Sequence, residues 1–203
     1  VLITAGPTYE KIDPVRFIGN YSSGKMGYAL AEECASRGAE VILVSGPVTL
    51  KEHHPNIRRI DVESAEEMYE EARRAYTDAD AGILCAAVAD FTPDHTADHK
   101  IKRGKDGMTI QLKPTKDIAA SLGATKKEGQ VLVGFALETN DEQQNAKGKL
   151  ERKNFDFIVL NSLNDKGAGF RVDTNKISII DRQDTTSYPL KNKSEVAKDI
   201  IDR

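Results

Sequence analysis

The chain has 203 residues, 39% hydrophobic and 30% charged, with a formal charge of −3 from 29 Lys and Arg against 32 Asp and Glu. That is enough chain to bury a core, which excludes global disorder, and so balanced a charge excludes bulk electrostatic attraction to nucleic acid. No apolar run approaches the roughly 20 residues of a spanning helix, no basic stretch with an apolar core opens the chain, and two cysteines make no disulfide framework. The expectation is a cytoplasmic protein of one domain, residues 1–203, that engages neither nucleic acid nor membrane.

Val1 to Gly6 is an apolar run stopped by Gly6-Pro7, which reads as a buried strand. The chain thus opens directly on a strand, as an excised part of a longer polypeptide would. After a polar segment to about Tyr21, Ser22 and Ser23 are placed to cap a helix from about Gly24 to Arg37, with Met26, Ala29, Leu30 and Cys34 on one face. Gly38 is a natural stop. Val41 to Val44 is a second apolar run, and the strand–helix–strand spacing predicts a right-handed βαβ unit. Ile60 to Val62 reads as a short strand, and Ser64 with Glu67 forms a capping box opening a helix to about Tyr76. Ala81 to Ala89 reads as a third buried strand, 91–107 as a polar loop, and Met108 to Leu112 as an exposed strand. A helix from about Lys116 to Lys126 leads to the strand Val131 to Leu137, and a helix from about Glu142 to Lys153 leads to the strand Phe155 to Leu160. Beyond a Gly-rich loop, Lys176 to Asp181 and Thr186 to Leu190 pair as a hairpin, and Ser194 starts a final helix. The alternation predicts an α/β fold: a doubly wound, mostly parallel, Rossmann-like sheet with a C-terminal antiparallel hairpin.

Such sheets bind ligands beyond the carboxyl ends of their strands, which directs attention to segments 6–25, 86–105, 135–140 and 161–170. Where the first helix starts, Ser22, Ser23 and Gly24 leave backbone N–H groups able to hold an anion with the helix dipole; simple helix capping is the plain alternative. Gly19 to Lys25 fits G-x-x-x-x-G-K, but Met26 stands where a P-loop needs Ser or Thr. Tyr21 and Lys25 have the spacing of a short-chain dehydrogenase pair but lie too early in the chain. The first loop also lacks the G-x-G-x-x-G of a dinucleotide enzyme. Asp90 closes the third strand, where a carboxylate can meet a base, a ribose or a metal, or can initiate a turn. Lys100, Lys102, Arg103 and Lys105 form a basic loop suited to closing over a polyphosphate, or to plain solvation. Lys149 and Lys153 share a helix face and could reach a ligand or favour the helix end. His53, His54, His95 and His99 read as solvated loop residues rather than metal ligands, and Cys34 and Cys85 as small buried hydrophobes. No Ser/His/Asp or Cys/His arrangement is present in the pattern.

Ile3 to Thr8, Asp13 to Ile18, Asn20 through Gly27, Val44 to Val48, Ala86 to Phe91, Lys100 to Lys102, Gly134 to Thr139 and Lys149 through Asn161 follow in order over nearly the whole chain. On these stretches the chain resembles the phosphopantothenoylcysteine synthetases, the ligase half of bacterial bifunctional coenzyme A biosynthesis flavoproteins. The resemblance implies a CTP-dependent ligation. The carboxylate of 4'-phosphopantothenate attacks the α-phosphate of CTP, giving an acyl-cytidylate and pyrophosphate, and the amine of L-cysteine then displaces CMP. It also implies two catalytic side chains, Asn20 at the acyl-cytidylate and Lys100 on a lid over the phosphates. Leu84, Cys85, Ala86, Asp90, Lys100, Thr115, Lys116, Asp117, Ile118, Phe135, Lys149 and Lys153 would form the CTP site, and Arg16 would lie at a homodimer interface. Mg2+ would accompany CTP, with its ligands unassigned, and no FMN would bind. The chain departs from the family pattern at Thr115-Lys116-Asp117-Ile118, where Lys116 stands for a usual Pro, and at Ser162, where Asp is common.

Overall fold

The computed structural model of the chain describes residues 1–104, 107–138, 141–162 and 172–203, with only the backbone of Glu138 and Ser162. In chain order the elements are β1 (Leu2–Ala5), β2 (Tyr9–Lys11), β3 (Phe17–Gly19), α1 (Lys25–Ser36), β4 (Val41–Ser45), β5 (Ile57–Asp61), α2 (Ala65–Tyr76), β6 (Ala81–Leu84), β7 (Phe91–Pro93), β8 (Leu112–Pro114), α3 (Ile118–Thr125), β9 (Val131–Glu138), α4 (Glu142–Arg152), β10 (Phe157–Ser162), β11 (Thr174–Asn175), β12 (Ile177–Asp181), β13 (Thr185–Ser187), β14 (Lys191–Asn192) and α5 (Lys193–Ile201).

Strands buried on both faces need near-continuous apolar sequence, and the runs at 2–5, 41–44 and 157–160 supply it. They form an eight-stranded sheet of order β13-β12-β10-β9-β6-β1-β4-β5. Six of these strands, β5 through β10 in that order, run parallel, in the arrangement of a doubly wound domain that reverses direction at β1 and β6. The expected C-terminal antiparallel hairpin continues the main sheet: β12 pairs antiparallel with β10 and carries β13 outward. Period-2 alternation sends Ile3, Leu43, Val133 and Val159 to the face covered by α1 and α5. Leu2, Val44, Leu132 and Ile158 go to the face covered by α2, α3 and α4.

Several boundaries differ from the sequence expectation, each for a local reason. Ser22 and Ser23 do not cap α1. Its N-cap is Gly24, at φ +79° with no side-chain cap bond, and the Ser22 hydroxyl accepts only from the Gly24 N–H at 3.3 Å. The glycines there serve a close crossing, since a Cβ on Gly27 would lie 2.5 Å from that of Ala5. The third strand ends at Leu84, not Ala89. Residues 85–89 leave the sheet as a strap held by Thr4, Gly6 and Thr8, with Ala87 N–H on the Gly6 carbonyl at 2.9 Å and Ala89 N–H on the Thr8 hydroxyl at 2.9 Å. The polar segment before α1 contains the hairpin β2–β3, closed by stacked Tyr9 and Phe17 rings 3.8 Å apart. The loop at 91–107 begins as β7, which pairs with β8; the latter is the exposed strand expected slightly earlier, at Met108 to Leu112. β5 starts at Ile57 and β10 at Phe157, α3 starts at Ile118 behind its N-cap Asp117, and α5 starts at Lys193. The Ser64–Glu67 capping box and the Gly38 stop at φ +94° are as expected. The Gly-rich loop at 163–171 lies outside the described residues.

Candidate functional site

The sheet reversal at β1 and β6 opens a cleft of about 440 Å³ beyond the carboxyl ends of the parallel strands. Its floor is Thr4, Leu84 at the end of β6, the strap residues Cys85 to Val88, Phe135 and Asn161; the ends of α1, α3 and α4 form its walls, and Asn175 and Lys193 close it from the C-terminal side. Fourteen of the residues singled out in the sequence line it: Ser22, Ser23, Gly24, Leu84, Cys85, Ala86, Asp90, Thr115, Lys116, Asp117, Ile118, Phe135, Lys149 and Lys153.

The lining is cationic in a chain of net negative charge. Lys25, Lys116, Lys149, Lys153 and Lys193 face two carboxylates, Asp90 and Asp117. Asp117 caps α3 by accepting from the Ala120 N–H at 2.9 Å and receives the Lys153 ammonium at 3.0 Å. Burial opposes its ionisation, but those hydrogen bonds outweigh it and hold the carboxyl below its ordinary value. The Lys116 that replaces a usual Pro leaves this cap intact. Its ammonium pairs with Glu66 at 2.5 Å and Glu70 at 3.4 Å on α2, and lies 4.6 Å over the Tyr69 ring. Lys193 is buried and donates to the Val172 carbonyl; burial, reinforced by the Lys25 charge, lowers its pKa. The Asn161 carboxamide oxygen is buried with no partner among the described residues, an arrangement that favours a ligand N–H or O–H.

Burial raises the Cys85 thiol to about 12 and the Cys34 thiol to about 11, so neither supplies a thiolate nucleophile at neutral pH. At pH 8 a thiol-disulfide reagent is expected to modify the folded chain at least about 10²-fold more slowly than the unfolded chain, from the thiolate fractions alone. Equal rates in the two states would contradict this protection.

Three sequence-predicted residues lie outside the cleft lining. Asn20 donates from Nδ2 to the Ala87 carbonyl at 2.8 Å, so it touches the strap. Arg16 is paired with Asp13 at the turn of the β2–β3 hairpin, and Lys100 is exposed on the loop beyond β7. Asn161 opens the segment 161–170 singled out in the sequence, whereas Asn175 and Lys193 are lining residues that sequence reasoning missed. No local pattern marks Asn175 or Lys193 as facing the strand ends. Among the described residues no group of three or more His, Cys, Asp or Glu side chains gathers as a metal site, and no helix is long and apolar enough to cross a membrane.

The uncapped α1 N-terminus and several lysines gather beyond the strand ends at the reversal point of a doubly wound α/β sheet. The chain belongs to the DNA/pantothenate metabolism flavoprotein C-terminal domain family, whose sequence profile matches residues 1–203. Over 202 residues it is 60% identical to a cysteine/cysteine sulfinic acid decarboxylase of an unknown prokaryotic organism, covering 99% of this chain and 56% of the relative. Over 202 residues it is 49% identical to the coenzyme A biosynthesis bifunctional protein CoaBC of Bacillus subtilis (strain 168), covering 99% of this chain and 50% of the relative. The fold is similar to the crystal structure of the C-terminal domain of a CoaBC protein, with a TM-score of 0.83, 42% identity, and coverage of 99% of this chain and 91% of that one. The chain spans about half the length of the curated relatives it matches.

Proposed function

We propose that this chain ligates 4'-phosphopantothenate to L-cysteine with CTP, through an acyl-cytidylate, in coenzyme A biosynthesis. The observation that carries the reading is the cleft itself. The α1 N-terminus has no side-chain cap and faces lysines on α4 and α5 across the strand ends. Activating a carboxylate with a triphosphate brings two anions together, so backbone N–H groups and ammonium groups must neutralise charge where it accumulates. The similarity to CoaBC proteins supplies the pathway.

In this reading Ser22 to Gly24 and Lys25 take phosphate oxygens. Leu84 and the strap residues Cys85 and Ala86 offer backbone groups to the cytosine edge, Phe135 packs beside them, and Lys149 and Lys153 reach the ribose or phosphates. The Lys153–Asp117 pair holds that ammonium at the α3 N-terminus, so it is already oriented before CTP arrives. Asn161 accepts from the ligand at its unpartnered oxygen. Asn20 donates to the reacting acyl group, and Lys100 adds a cation from the loop. Magnesium would be held by the phosphates with Asp90, the exposed carboxylate on the rim, the one-carboxylate pattern this ion commonly uses, and would supply charge neutralisation. The chain acts in the cytoplasm, binds no FMN, and pairs as a homodimer through the hairpin face bearing Arg16 and the exposed Val15, Phe17 and Tyr21.

Pyrophosphate release with phosphopantothenate, cysteine and each of CTP, ATP, GTP and UTP tests the proposal. Release with CTP is expected, with CMP appearing only when cysteine is present. Equal rates with ATP would remove the CTP assignment. CTP binding without pyrophosphate would reduce the domain to a binding module, and carbon dioxide from cysteine or its sulfinic acid would favour the decarboxylase activity named for the relative.

A further inference from the structure

We infer that Asp13 is a positioning residue for the cationic loop at Lys100 and Lys102, acting through a clamp on the backbone of Ile101. This rests on the proposed CTP reading, because it assigns the loop to nucleotide phosphates.

Asp13 lies in the turn between β2 and β3, and its side chain is fully buried. One carboxylate oxygen accepts from the N–H groups of Val15 at 2.8 Å and Arg16 at 2.9 Å, which already satisfies the turn. The other oxygen does something the turn does not need. It accepts from Arg16 Nε at 3.1 Å and Nη2 at 2.5 Å, and also from the Ile101 N–H at 3.1 Å. The same Arg16 Nη2 donates to the Ile101 carbonyl at 3.0 Å. Both backbone polar groups of the residue between Lys100 and Lys102 are therefore held by one ion pair from a hairpin 88 positions earlier in the chain. Two more bonds stitch the loop to that hairpin: the Thr96 hydroxyl to the Lys11 carbonyl and the Ala97 N–H to the Ile12 carbonyl, each at 3.0 Å.

The hairpin's far end carries Asn20, which is fixed to the strap by its bond to Ala87. One rigid two-stranded unit thus sets the separation between Asn20 and the loop cations. An unclamped loop would have to order when nucleotide binds, and the entropy lost would appear as weaker binding. The Arg16 guanidinium holds the Asp13 carboxyl far below the ordinary carboxylate range. A depressed value keeps the clamp ionised well below the pH near about 4 at which an ordinary aspartate protonates, so it does not titrate in the working range.

The test is a double-mutant cycle in the full chain. Asp13→Asn keeps an acceptor for the turn amides and loses the ion pair. It is expected to raise the KM for CTP about 10-fold, change kcat less than about 3-fold, and leave the KM for cysteine alone. In a Lys100→Gln, Lys102→Gln background the same substitution should have no further effect on the CTP KM, because those side chains are what it positions. An unchanged CTP KM, or an equal effect in both backgrounds, overturns the inference. Should Asp13→Asn fail to fold, Arg16→Gln, with the oligomeric state recorded, is read by the same two criteria. Trypsin cleavage after Lys100 and Lys102 gives a second readout that needs no activity, with about 10-fold faster cleavage expected on breaking the clamp. If the wild-type chain releases no pyrophosphate from CTP, the functional reading fails, and cleavage unchanged by Asp13→Asn then refutes the clamp separately.

Discussion

Asn20→Asp is expected to slow the cysteine-dependent second step by about 10²- to 10³-fold, the usual consequence of losing one donor to a developing oxyanion, while pyrophosphate release falls far less. Asn20 follows β3 and donates to the Ala87 carbonyl at 2.8 Å, so its amide lies against the strap that floors the cleft. A carboxylate of the same shape cannot donate. It would set an anion against the Ala87 carbonyl oxygen and bring negative charge toward the acyl oxygen, which must itself gain negative charge as cysteine attacks. Formation of the acyl-cytidylate needs phosphate neutralisation instead, which falls to the lysines and the α1 N-terminus. Single-turnover quench experiments should therefore show acyl-cytidylate accumulating in the variant. A second step at the wild-type rate would remove Asn20 from the chemistry.

The largest stability effect is expected at Gly46. A Cβ there would sit 1.6 Å from the Pro7 carbonyl oxygen and 2.8 Å from its carbon. Both are backbone atoms, so no rotamer change relieves the overlap. Gly46 follows β4, and its N–H is bonded to the Ala5 carbonyl at 2.9 Å. Pro7 in turn bridges to Ala87 on the strap. Gly46→Ala must separate the ends of β1 and β4 or displace the strap, and a loss above about 4 kcal/mol is expected, a large part of a domain's usual 5–15 kcal/mol. Gly38→Ala is the contrasting case: its φ is +94°, but a Cβ there meets nothing within 4 Å, so only the left-handed backbone penalty of about 1–2 kcal/mol applies. Urea midpoints of the two variants measure the difference, and a wild-type midpoint for Gly46→Ala would mean that the crossing yields without cost.

The two glycines look alike on paper, each beside a turn or a helix end. Gly38 was readable because a helix stop is a local event. Gly46 was not, because its constraint comes from Pro7, in a different loop. The same distinction runs through the site. Asp117 and its helix, the Ser64 box and the lysines four apart on α4 are short-range patterns. The run from Ala81 to Ala89 misled because apolar residues that line a cleft look like those of a buried strand. Its second half is held by Thr4, Gly6 and Thr8, which periodicity does not register.

The sequence by itself determined the alternation of strands and helices, the parallel sheet, and the carboxyl-end segments that line the cleft. Those follow from periods of two and 3.6 residues and from capping, all of which act over a few positions. Only the tertiary structure decided that Asn161 and Lys193 enter the same cleft, that the C-terminal hairpin continues the sheet, and that Asp13 grips Ile101. Each depends on atoms brought together across long stretches of chain, as much as 88 positions for the clamp, where the fold rather than the local pattern sets the distance.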